Sequence, residues 1–157
     1  RVAFRRGHCD YPRQAGPLLL VATGTGIAPH LALLAELDAA LCAEECVVVY
    51  GCRNRERDFI CRAELETLKE AGRVRLFTAF SRDQSERIYV QHLMAANRPF
   101  FAQFVRTHAT ELRVLVCGNS KFLARSIEKS TQKELLALFE PDEGQAWLRA
   151  ARAAGRF

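Results

Sequence analysis

No stretch of this sequence approaches the roughly 20 consecutive apolar residues that a membrane-spanning helix requires, which excludes such a helix within these 157 residues. The opening segment, Arg1 to Gly7, lacks the apolar centre of a secretory signal, so a cytoplasmic protein is expected, with no membrane partner. There is one methionine, Met94, and the first residue is Arg1, so the sequence is expected to be a piece of a longer one. Close cysteine pairs of the Cys-x-x-Cys kind are missing. The six cysteines, Cys9, Cys42, Cys46, Cys52, Cys61 and Cys117, are scattered, and the nearest two are Cys42 and Cys46. That spacing is wrong for zinc, and a chain of this size does without disulfide staples, so no metal and reduced thiols are expected. Blocks of basic charge are also missing. The 23 Lys and Arg residues alternate with 18 Asp and Glu, and the net charge of +5 gives no patch for nucleic acid. It does leave a local excess for an anionic ligand. His8, His30, His92 and His108 show no paired carboxylate or cysteine, and no catalysis is assigned to them.

What is present is the balance of a globular domain, 49% apolar and 26% charged, at a length that suits a single core. The run Pro17 to Ala22 is apolar throughout and ends in glycines, as expected of a strand buried on both faces. Pro29 stands where a helix could begin, and Leu31, Leu34, Leu37 and Leu41 follow at helical spacing. Cys46 to Tyr50 closes a β-α-β unit, which implies parallel strands. Further strands are expected over 74–80 and 112–117, the latter buried, and helices over 63–71, 90–96, 100–108, 122–139 and 145–154. Pro141-Asp-Glu-Gly144 reads as a turn between the last two helices. The fold class is therefore α/β, doubly wound, with a mainly parallel sheet and helices on both faces. Residues 1–16, without a period and with Pro12 and Gly16, read as a linker or the tail of a preceding domain, and residues 17–157 as the domain proper.

Ligands of such sheets bind beyond the carboxyl ends of the strands. The first segment there is Thr23-Gly-Thr-Gly-Ile-Ala-Pro29. Gly24 and Gly26 permit a tight turn, Thr25 offers a hydroxyl, and the following helix directs its free N–H groups at any bound phosphate. Gly26 is followed by Ile27 and Ala28 rather than Lys-Ser/Thr, which argues against nucleotide hydrolysis, and Gly-x-Gly-x-x-Gly is absent as well. An ordinary glycine turn remains the other reading of this segment. After the strand expected at the sheet edge come Ser81, Arg82, Arg87 and Tyr89. Two guanidinium groups, a hydroxyl and an aromatic ring suit a phosphorylated adenosine, and the plain alternative is a solvated charged loop. Cys117 and Gly118 end the last strand, where a lone cysteine is most often a small core residue.

Taken in order, Gly24-Thr-Gly-Ile-Ala-Pro29, Tyr50-Gly-Cys-Arg53, Phe80-Ser-Arg82, Tyr89-Val-Gln-His92 and Val116-Cys-Gly118 resemble the NADPH-binding domain of the diflavin reductases, a branch of the ferredoxin-NADP reductase-like group. The likeness covers nearly the whole chain. It implies that Gly24, Thr25, Gly26, Ile27, Ala28 and Pro29 hold the pyrophosphate of NADP(H). It further implies that Ser81, Arg82, Arg87 and Tyr89 hold the 2'-phosphoadenosine, with Ile88, Val90 and Gln91 supporting them. Cys117 would lie beside the nicotinamide as the catalytic residue, with Cys52, Arg53, Gly118, Asn119 and Ser126 near the cofactor. The sequence departs from the family pattern at His30, commonly aromatic, at Arg87, commonly Lys, at Asn119, often Asp, and at Ser126, often acidic.

The resemblance implies hydride transfer from NADPH to FAD, then electron passage through FMN to a redox protein acceptor, FAD and FMN being held by other domains of the same polypeptide. Residues 1–157 alone would bind NADP(H) without turnover. Gly51 to Phe59 and Cys117 to Lys121 are most similar to the reductase of cytosolic iron-sulfur cluster assembly, whose acceptor is an iron-sulfur assembly protein. A reductase serving a haem protein, and a non-catalytic nucleotide-sensing module, are the alternatives.

Overall fold

The computed structural model describes residues 16–37, 45–118 and 121–157. The expected linker at 1–16 lies, but for Gly16, outside the described residues, as does Asn119. Four strands, β1 (Leu18–Thr23), β2 (Cys46–Cys52), β3 (Arg75–Phe80) and β4 (Arg113–Cys117), form one parallel sheet in the order β3-β2-β1-β4. The helices are α1 (Ile27–Leu37), α2 (Arg62–Glu70), α3 (Val90–Ala96), α4 (Arg98–Thr107), α5 (Lys121–Leu136) and α6 (Pro141–Ala153).

The continuous apolar runs of β1 and β2 are explained by the two cores they separate. Leu18, Leu20 and Ala22 of β1, with Val48 and Tyr50 of β2, face α1 and α2 through Ile27, Leu34 and Leu65. Leu19, Val21, Val47 and Val49 point the other way, onto Met94, Phe101, Val105, Leu135 and Leu148 of α3 to α6. Successive side chains alternate between faces, so a strand covered on both sides needs an apolar residue at every position. This is the doubly wound α/β architecture that the sequence predicts. Among the described residues no helix is long and apolar enough to cross a membrane.

Three expectations need correction. The helix after β1 begins at Ile27, behind a single 3-10 turn over Gly24–Gly26, so Pro29 is its third residue. The first N–H groups of a helix have no partner within it, so a proline there costs no hydrogen bond. Pro141-Asp-Glu-Gly144 is the first turn of α6 rather than a loop, with Pro at the helix start and Asp142 and Glu143 beside the positive end of its dipole. Gly144 is buried there, and a Cβ on it would lie 3.2 Å from Phe139 and 3.3 Å from Leu136. Finally, β4 is half-exposed instead of buried, because the strand order leaves it at the sheet margin. Its Val114 N–H donates to the Arg156 carbonyl at 2.7 Å, on the side away from β1.

Candidate functional site

The chain runs outward from β1 through β2 to β3 and then returns to place β4 on the other side of β1, so the direction of winding switches between β1 and β4. Loops diverge at such a point and leave a crevice beyond the carboxyl ends. The turn after β1 is fitted tightly against it. A Cβ on Gly26 would stand 2.6 Å from the Cys117 carbonyl oxygen, so only glycine lets this turn pass the end of β4. Gly24 takes the left-handed conformation, φ 53°, which places Thr25 outward and exposed.

On the β1-β2-β3 side of this turn lies a cleft of about 500 Å³. Its lining comes from four places: Thr23, Gly24 and Thr25 after β1; Gly51, Cys52 and Arg53 at the end of β2; Ser81 after β3; and Ile88, Tyr89 and Val90 at the start of α3. Arg57, Asp58 and Ile60, from the loop following β2, complete it. Gly51 is required here too, since a Cβ on it would lie 2.9 Å from the Val90 Cγ1. The Thr23 hydroxyl is buried and has no hydrogen-bond partner in the protein. A buried polar atom left so costs free energy unless something else binds it. Tyr89, 40% exposed, and Ile60, 37% exposed, are the two exposed large hydrophobic residues among those described, and both line this cleft.

Beside the cleft is a second, polar hollow of about 450 Å³ lined by Arg53, Asn54, Arg57, Asp58 and Arg82. Arg53 donates to Asp58 at 2.6 Å. The Asp83 carboxylate accepts from the Asn54 amide and from the Arg55 N–H, both at 2.9 Å, and these two bonds hold its pKa below the usual carboxylate range. Burial, with the Asp58 and Asp83 carboxylates, pushes the Cys52 thiol up to about 11, so it stands in the cleft protonated and uncharged. Among the described residues no group of three or more His, Cys, Asp or Glu side chains is placed to hold a metal.

A protein-family profile described as Oxidoreductase NAD-binding domain matches residues 20–129, most of the chain. The chain belongs to that family. Relatives of this NAD-binding domain include NADPH-dependent diflavin oxidoreductase 1 of Xenopus laevis, 36% identical over 78% of this chain and 20% of the relative. The enzyme of that name from Bos taurus is 32% identical over 89% of this chain and 22% of its own. NADPH--cytochrome P450 reductase of Rattus norvegicus is 31% identical over 81% and 19%. The chain thus spans about a fifth of the length of these relatives, and it is homologous to NADPH-dependent flavoprotein oxidoreductases.

Of the residues singled out in the sequence of this NAD-binding domain, the structure gathers Gly24, Thr25, Cys52, Arg53, Ser81, Ile88, Tyr89 and Val90 around one cleft. Arg82 lines the adjoining hollow. Gly26 and Ile27 are buried beneath the turn, and Ala28 and Pro29 belong to the first turn of α1. Arg87 is exposed and Gln91 half-buried, and neither lines the cleft or the hollow. Cys117 and Gly118 sit half-buried at the end of β4, across the Gly26 turn from the cleft, and Ser126 is exposed on α5. Thr23 opens the first segment singled out in the sequence, though no role is assigned to it there, whereas Asn54, Arg57, Asp58 and Ile60 are not among the expected site residues. The signal for the last four was their place just past the carboxyl end of β2, in a segment with three arginines in five residues, Arg53 to Arg57.

Proposed function

We propose that this domain binds NADP(H) and presents it to FAD held elsewhere in a diflavin reductase, electrons then passing through FMN to a protein acceptor. The observation that carries the reading is the juxtaposition of an exposed aromatic and aliphatic pair, Tyr89 and Ile60, with a hollow lined by Arg53, Arg57 and Arg82. A purine needs an apolar face, and a phosphate needs guanidinium groups, so adjacent sites of these two kinds suit a phosphorylated adenosine. Thr25 and the positive dipole end of α1 suit the pyrophosphate, and the unsatisfied Thr23 hydroxyl offers it a further donor.

The hydride chemistry is supplied by the nicotinamide itself, and the chain contributes binding and orientation. Cys117 stands on the far side of the Gly26 turn, at the switch point, where the nicotinamide end of an extended dinucleotide would reach. Service to cytosolic iron-sulfur cluster assembly is the finer reading, carried by the likeness of Gly51 to Phe59 and Cys117 to Lys121. A reductase for a haem protein is the second, favoured by the relatives named for cytochrome P450.

The deciding experiment is a calorimetric titration of the intact protein with NADP+ and NAD+. NADP+ should bind at least tenfold more tightly; equal affinities would remove the assignment. Mixing the NADPH-reduced protein with an iron-sulfur assembly protein or with a P450 then distinguishes the two acceptors by the rate at which each is reduced.

A further inference from the structure

The loop that follows β2 carries three arginines, and the structure commits two of them elsewhere. Arg53 is held by Asp58 at 2.6 Å. Arg55 lies over the Phe80 ring, its guanidinium carbon 4.4 Å from the ring centre. The nearby carboxylates are occupied as well: Glu56 pairs with Arg62 at 3.1 Å, and Asp83 accepts from Asn54 and the Arg55 N–H. Arg57 is left with one long bond, 3.4 Å to the Asn54 amide oxygen, and no carboxylate within ion-pairing distance among the described residues. Arg82, on the facing loop, likewise has no carboxylate at ion-pairing distance among them.

Arg57 and Arg82 line the same polar hollow, and Arg57 also lines the cleft that holds Tyr89 and Ile60. It therefore stands at the join between the apolar surface and the basic one. Two cations outside any ion pair around one hollow, with Asp83 only at longer range, attract a doubly charged group, and guanidinium binds phosphate through paired hydrogen bonds. Arg87, the second guanidinium expected from the sequence, is exposed and outside this lining.

We propose that Arg57 is a specificity-determining residue that binds the 2'-phosphate of NADP(H) together with Arg82. The proposal rests on the NADP(H) reading above and singles out, among the arginines of its hollow, the one that decides between 2'-phosphorylated and unphosphorylated nucleotides. Arg57 acts chiefly on the 2'-phosphate, so its removal lowers affinity for 2'-phosphorylated nucleotides far more than for their unphosphorylated counterparts.

The test is calorimetric titration of the intact wild-type protein, Arg57→Gln and Arg57→Lys with NADP+, NAD+, 2',5'-ADP and 5'-AMP at fixed ionic strength. Arg57→Gln should weaken NADP+ and 2',5'-ADP about tenfold, the effect of losing one charge-assisted contact, with a much smaller loss for NAD+ and 5'-AMP. Arg57→Lys, which keeps the charge but not the fork, should fall between. If wild type prefers NADP+ and Arg57→Gln keeps the whole preference, the Arg57 contact is wrong and the NADP(H) reading stands. If wild type itself shows no preference, both fall. An equal loss for all four nucleotides would make Arg57 a structural residue and also overturn the proposal.

Discussion

The buried His30 should make the anchoring of α1 sensitive to acid. It lies on the first turn and a half of α1, 1% exposed, with its Nε2 3.3 Å from the Val21 carbonyl of β1. A carbonyl can only accept, so Nε2 carries the proton and the neutral ring ties α1 to the strand before it. Burial lowers the imidazole from 6.5 to about 4, against a smaller opposing effect of the Val21 bond. The fold therefore keeps the ring neutral while the unfolded chain protonates it, so the unfolded state binds more protons between those two values. Stability from this residue is complete above pH 6.5, falls as the pH drops, and is fully lost near pH 4. The full difference corresponds to about 3 kcal/mol, and about 2 kcal/mol of it should disappear between pH 7 and pH 5. That is a large share of a typical domain's stability, about 5–15 kcal/mol. The assay is urea unfolding of wild type and His30→Phe at the two pH values. The Phe variant fills similar space, cannot titrate, and should lose about 2 kcal/mol less than wild type on acidification. An identical loss in both proteins would show that His30 does not couple folding to protonation.

Gly26→Ala should destabilise the domain by about 1–3 kcal/mol, because its Cβ would meet backbone at 2.6 Å and β4 or the turn must move; thermal unfolding measures this, and NADP+ affinity should fall with it. Arg82→Ala should erase most of the preference for NADP+ over NAD+, since one charge-assisted contact contributes roughly 1.5–3 kcal/mol; calorimetry with both nucleotides checks it. In the intact enzyme, Cys117→Ala should slow flavin reduction more than it weakens NADPH binding, the pattern of an interaction made mainly in the transition state. Stopped-flow reduction at the wild-type rate would instead return Cys117 to the role of a packing residue.

The strands and their α/β alternation could be read directly because burial on both faces writes itself into the sequence as unbroken apolar runs, Leu18 to Ala22 and Cys46 to Tyr50. Lateral order is not written in any one segment. Leu112 to Cys117 is apolar but for Arg113, and the return of the chain past β1 leaves it at the margin. At Pro141 the local signal is ambiguous: Pro, Asp and Gly together signal a turn, but the same residues serve a helix start when Pro takes its first position and Gly lies under the preceding helix. The cleft was legible where a motif ends a strand, as at Gly24 and Ser81. Arg57 and Ile60 are not, because their place depends on how the nine-residue loop between β2 and α2 folds over the ends of β2 and β3 rather than on any period.

That loop is held more firmly than its length suggests. Past the last residues of β2 and β3 the ladder continues, with the Ser81 N–H donating to the Cys52 carbonyl at 2.9 Å and the Arg82 N–H to the Arg53 carbonyl at 2.8 Å. The Asn54 amide then donates to the Arg82 carbonyl at 3.3 Å and to Asp83 at 2.9 Å, and Asp83 also accepts the Arg55 N–H. The two loops that carry Arg53, Arg57 and Arg82 are thus fastened to each other beside the sheet. Immobilising a long side chain on binding costs about 0.5–1.5 kcal/mol, and ordering its backbone would add to that. Here the backbone is ordered before any ligand arrives. The Asp83 carboxylate stays ionised, its charge stabilised by the bonds from Asn54 and the Arg55 amide and by the nearby Arg55 and Arg57 guanidinium groups. The acidic residue between two basic loops therefore acts as their fastening, and it holds the basic hollow in place without forming an ion pair with Arg57 or Arg82.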